Sequence, residues 1–105
     1  MWTIEEEGYR IEGWTSFEFS GPATENIDVH VRIEGGGAHI ATFYSLRCVR
    51  ALMHKFVDEG EYDFPFFWER SGVFVEELTK EAVRKAVAEL IRIDELPAAF
   101  EPSTS

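Results

Sequence analysis

Apolar and polar side chains alternate without a break from Ile27 to Glu34, and this stretch constrains the fold more than any other. Ile27, Val29, Val31 and Ile33 point one way; Asp28, His30, Arg32 and Glu34 point the other. A period of two turns one face toward a core and the other toward water, which requires a sheet. Gly35-Gly36-Gly37 supplies the positive φ values of a hairpin, and Ala38 to Tyr44 returns as the partner strand. The turn length is open from sequence, and a one-residue change exchanges the faces of the returning strand. At Ser45 the period changes. Leu46, Val49, Leu52, Met53 and Phe56 recur at helical spacing to about Asp58, with Ser45 as N-cap and Gly60 as C-cap.

Shorter signals fill the rest. Trp2–Ile4 and Tyr9–Glu12 are strand candidates around a Glu7-Gly8 turn, and Trp14–Ser20 alternates as a further strand ended by Gly21-Pro22. Asp63–Arg70 and Val73–Glu76 suggest a second hairpin across Ser71-Gly72. In it Phe66 and Trp68 share a face opposite Val73 and Val75, while Phe67 and Phe74 fall on the reverse. Thr79 caps a second helix running to about Arg92. Leu78 and Val83 form a hydrophobic staple, and Val83, Ala86, Val87, Leu90 and Ile91 form the buried stripe. The expected fold is α+β, a mainly antiparallel sheet of about five or six strands with two helices packed on one face. Residues 1–97 form the single domain. Pro97 stops the last helix, and residues 98–105 are expected to be a flexible tail.

The pattern from Ile40 onward resembles a group of small, uncharacterised bacterial α+β proteins. The residues that carry it are Phe43-Tyr44-Ser45-Leu46, Leu52-Met53, Gly60-Glu61, Phe67-Trp68 and Val73 to Thr79. It spans roughly the second half to two-thirds of the chain. These motifs are caps, staples and core aromatics, so the resemblance implies a fold and carries over no functional residue.

Composition narrows the function classes. The chain has 105 residues, 45% hydrophobic and 14% aromatic, enough to build one core. Its net charge is −10, with −6 in residues 1–45, +1 in 46–60 and −5 in 61–105. A phosphate backbone is repelled by such a surface, so no nucleic-acid partner is expected. No apolar run approaches the ~20 residues of a membrane span. Glu5, Glu6 and Glu7 stand where a signal peptide is basic and apolar, and Cys48 is the only cysteine, so the cytoplasm is the expected compartment.

No catalytic, cofactor or metal motif stands out. His30, His39 and Cys48 lack the short paired spacing of zinc ligands, so surface histidines are expected. His54 and Asp58, four apart on a helix, make half of an acid–base pair with no nucleophile beside them. Cys48 lies near a helix N-terminus but beside the apolar stripe, which suits a buried thiol. The glutamate runs suit solvated charge. The triple glycine lacks the Gly-Lys-Ser/Thr ending of a phosphate loop. Arg47, Arg50 and Lys55 form a basic helix face among acids.

Aromatic surplus is the remaining feature. Tyr62, Phe64, Phe67 and Phe74 exceed what one small core needs and are the candidate interface residues. The sequence therefore points to a protein-interaction or self-associating module, binding as a homodimer or to a protein partner such as a basic one. The alternative is a small enzyme or small-ligand-binding domain with a pocket between sheet and helices, using His54 or His30.

Overall fold

The computed structural model describes residues 1–103. It is an α+β fold with a six-stranded, mainly antiparallel sheet, as expected. The strands are β1 (Trp2–Glu6), β2 (Tyr9–Gly13), β3 (Asn26–Ile33), β4 (Gly37–Ser45), β5 (Gly72–Val75) and β6 (Glu101–Ser103). The helices are α1 (Leu46–Asp58), α2 (Lys80–Arg92) and the single turn α3 (Leu96–Ala99), with a 3-10 turn at Pro22–Thr24. Strand order is β1-β2-β3-β4-β5, and β6 also pairs with β4. β6 runs antiparallel beside Ala38–Ile40 and β5 runs parallel beside Thr42–Ser45, so the two divide the length of β4 between them.

The central hairpin resolves the open register. Ile33 pairs with Gly37, Val31 with His39, Val29 with Ala41 and Ile27 with Phe43. Gly36 N donates to Ile33 O at 2.9 Å, and Gly35 takes φ 74°, the left-handed value a type II turn needs at its third position. The inner face thus carries Ile27, Val29, Val31, Ala41 and Phe43, all buried. Tyr44 points the other way and is still only 6% exposed. Something must therefore cover the outer face at that end.

The helices divide their roles unequally. Val83 and Val87 of α2 and Leu96 of α3 are buried in the main core, with Leu78 and Phe100. α1 places no residue in that core. It follows β4 directly, and Cys48 is its one buried side chain, touching Asn26 Nδ2 at 3.6 Å and Ala23 O at 3.5 Å. Its stripe of Val49, Leu52, Met53 and Phe56 is half-buried, and Leu46 is exposed. The expected pair of core helices is thus one core helix and one peripheral helix.

Three other expectations are corrected. Trp14–Ser20 is not a strand. Both edges of β2 are occupied, by β1 and β3, so the meander closes without it. Its alternation survives in the inward lean of Phe17 and Phe19, with Phe17 against Trp2 at a ring separation of 5.1 Å. Asp63–Arg70 forms no hairpin with Val73–Glu76. β5 instead pairs parallel to β4, which needs a long crossover, and α1 with the 59–71 segment provides it. The tail boundary also moves. Pro97 sits in the first turn of α3, where a missing N–H costs nothing, and the chain continues into Phe100 and β6. Phe100 is 2% exposed and stands edge-on to Phe43 at 6.0 Å. Thr104 and Ser105, the end of the expected tail, lie outside the described residues. Among those described, no helix is long and apolar enough to cross a membrane.

Candidate interaction surface

The outer face of the β4–β5 pair gathers Phe67 and Phe74 of the aromatic surplus around Tyr44. The parallel register sets Tyr44 beside Phe74, with ring centroids 5.9 Å apart. Phe67, from the irregular crossover, leans on both, 5.1 Å from Tyr44 and 6.2 Å from Phe74. The Tyr44 hydroxyl donates to Glu69 Oε2 at 3.0 Å, fastening the segment over the sheet. Burial, and then the Glu69 carboxylate, push the Tyr44 phenol well above its usual value.

A second string of rings fastens the start of the segment to α1. Phe56 meets Tyr62 edge-on at 5.3 Å, and Tyr62 stacks on Phe66 at 4.6 Å. Glu61 N and Tyr62 N both donate to Phe56 O, capping the end of α1 as the chain leaves it. The crossover is therefore irregular in backbone yet held at both ends. Pro65 explains part of this, since a proline in the middle of a run cannot serve a central strand.

Some of these rings are covered and others face water. Tyr62 and Phe67 are half-buried, whereas Phe64 (69%), Trp68 (62%), Phe74 (48%) and Phe66 (38%) are exposed. The four sequence candidates thus split into two anchors, Tyr62 and Phe67, and two exposed rings, Phe64 and Phe74. Phe67 and Phe74 do share a face, as the alternation suggested. Phe66 and Trp68 were missed as surface residues. Their apparent opposites, Val73 and Val75, turn inward to the core when β5 joins β4. Pro65 was the available signal against pairing them across a hairpin.

The groups that acid–base or metal chemistry would use do not converge. His30 lies on the outer face with Trp14 edge-on at 4.7 Å; His39, opposite Val31, lies on the inner face; His54 is exposed on α1. Ser45 is 1% exposed and occupied as a cap, accepting from Cys48 N at 3.0 Å and donating to Glu25 Oε1 at 2.7 Å. Burial pushes the Cys48 thiol up, so the helix N-terminus does not make it a ready thiolate. The basic helix face lines an open groove of Pro22, Leu46, Arg47, Arg50, Ala51 and His54, where Arg47 approaches Glu25 at 3.5 Å. No three His, Cys, Asp or Glu side chains among the described residues come together to hold a metal ion. Comparisons with protein-family models, with curated proteins and with solved structures return no match, which leaves the surface itself as the guide to function.

Proposed function

We propose that this chain is a protein-interaction module whose contact surface is the aromatic outer face of β5 and the 59–71 crossover. The observation that carries this reading is the exposure of Phe64, Phe66, Trp68 and Phe74, with Phe66 stacked on Tyr62 and Phe74 held beside Tyr44 and Phe67. Exposed aromatics grouped on one face mark contact sites, because large rigid rings release much water for little lost entropy. A structureless crossover of this length in a small domain is also uncommon unless it is functional. Preorganisation by Tyr44, Tyr62 and Phe67 lowers the ordering cost of binding.

The test is a double variant, Phe64→Ser with Trp68→Ser. Both rings are mostly in water, so stability should change by no more than about 0.5 kcal/mol for each site. Light scattering then follows self-association, and affinity capture follows other chains. Loss of association with an unchanged melting curve supports the reading. Association that survives the double variant contradicts it.

A further inference from the structure

Six of the twenty carboxylates of this protein pair with arginine, and none of the six lies in the aromatic stretch. Glu5, Glu6, Glu12, Glu25, Glu81 and Glu89 each lie within ion-pair distance of an arginine. Acidic charge is densest along the stretch of chain that carries the exposed rings. Residues 58–77 hold seven carboxylates against Arg70 alone, a formal charge of −6 out of −10 for the whole chain. All seven are exposed, and none makes an ion pair among the described residues. The exposed rings and this net negative charge belong to the same stretch of chain.

That coincidence separates the candidate occupants of the face. A second copy sets this acidic stretch against its own like, and like charges across a contact are unfavourable, most of all at low salt. A cationic side chain meets the opposite situation. Its aliphatic stem packs on an exposed ring, its charge is attracted by the ring face, and its N–H groups reach a carboxylate. Glu69 is already oriented for this role by the Tyr44 hydroxyl. We infer that the occupant of the aromatic face is a basic polypeptide segment carrying arginine or lysine among apolar side chains. This rests on the interaction reading above and names the chemistry of its partner.

The probe is a synthetic peptide that alternates arginine with leucine, beside a control in which every arginine is replaced by citrulline, which keeps the shape and removes the charge. Each is titrated into the full chain by calorimetry at about 0.05 M and about 0.5 M salt, where the Debye length falls from about 14 Å to about 4 Å. The arginine peptide should bind at low salt, the citrulline peptide should not, and high salt should weaken binding at least about tenfold. Trp68→Ala should weaken it about tenfold, and the Glu61→Gln, Asp63→Asn pair several-fold. No binding, equal binding of both peptides, or binding indifferent to salt overturns the inference. Self-association that strengthens as salt rises and is lost in Trp68→Ala makes a second copy the occupant; the inference then falls and the interaction reading stands. If Phe64→Ala and Trp68→Ala change neither peptide binding nor self-association, the interaction reading falls with it.

Discussion

Phe100→Ala tests whether the C-terminal segment belongs to the fold. The Phe100 ring is 2% exposed, lies among the main-core residues and stands edge-on to Phe43. Truncating a fully buried phenylalanine costs about 3–5 kcal/mol, from lost transfer energy and the cavity left behind. Unfolding entropy of about 2.1 cal/mol/K per residue amounts to about 0.2 kcal/mol/K for a chain of this length, so the melting midpoint should fall by about 14–23 °C. Phe64→Ala is the matched control. The same atoms leave a ring that is 69% exposed, and the cost should stay within about 0.5 kcal/mol, a shift of about 2 °C. Thermal unfolding followed by circular dichroism measures both. Equal, small shifts for the two variants would mean that residues 98–103 do not dock, and would refute the assignment of Phe100 to the core.

Two further outcomes follow from buried polar groups. Tyr44→Phe removes the hydrogen bond to Glu69 and should cost about 1–2 kcal/mol at neutral pH, measured by denaturant titration. The Tyr44 phenol is raised in the folded chain, so its contribution is complete below the unfolded value near pH 10 and is lost as pH climbs toward the folded one. Above pH 10 the wild type should therefore lose stability more steeply than Tyr44→Phe, by up to about 1.4 kcal/mol per pH unit; equal slopes would contradict it. Cys48 is buried with its thiol pushed up, so alkylation of the native chain at mildly alkaline pH should run at least about tenfold slower than in denaturant. Comparable rates would mean that α1 does not seal against the 3-10 turn.

Local periodicity carried the parts of the fold that depend on a single element. The Ile27–Ile33 alternation, the Ser45 and Thr79 caps and the α2 stripe all appear where the residues place them, with cap bonds to Cys48 N and Ala82 N at 3.0 Å. What was not legible depends on which element meets which. Val73 and Val75 are equally good partners for a preceding hairpin strand or for β4, and only the crossover geometry decides between them. Leu96 and Phe100 are single apolar residues around a proline, a pattern too short to carry a period, so a segment that fills the core resembled a tail. The half-buried stripe of α1 also looks on a helical wheel like the buried stripe of α2. The candidate surface was half legible: the excess of rings was visible, and Phe64 and Phe74 were among those named. The exposure of Phe66 and Trp68 was not, because alternation assigns a ring to a face without saying whether that face is covered.

The most direct test of the contact surface is site-specific photo-cross-linking. A benzophenone-bearing phenylalanine replaces Phe64 in one variant, Phe74 in a second and the exposed Lys85 of α2 in a third, and each is irradiated in cells that express it. Mass spectrometry then identifies whatever is joined. Positions 64 and 74 should yield the same covalent adduct and position 85 should not. Adducts that form equally from all three positions, or from position 85 alone, would contradict the claim that the aromatic outer face is where this protein meets its partner.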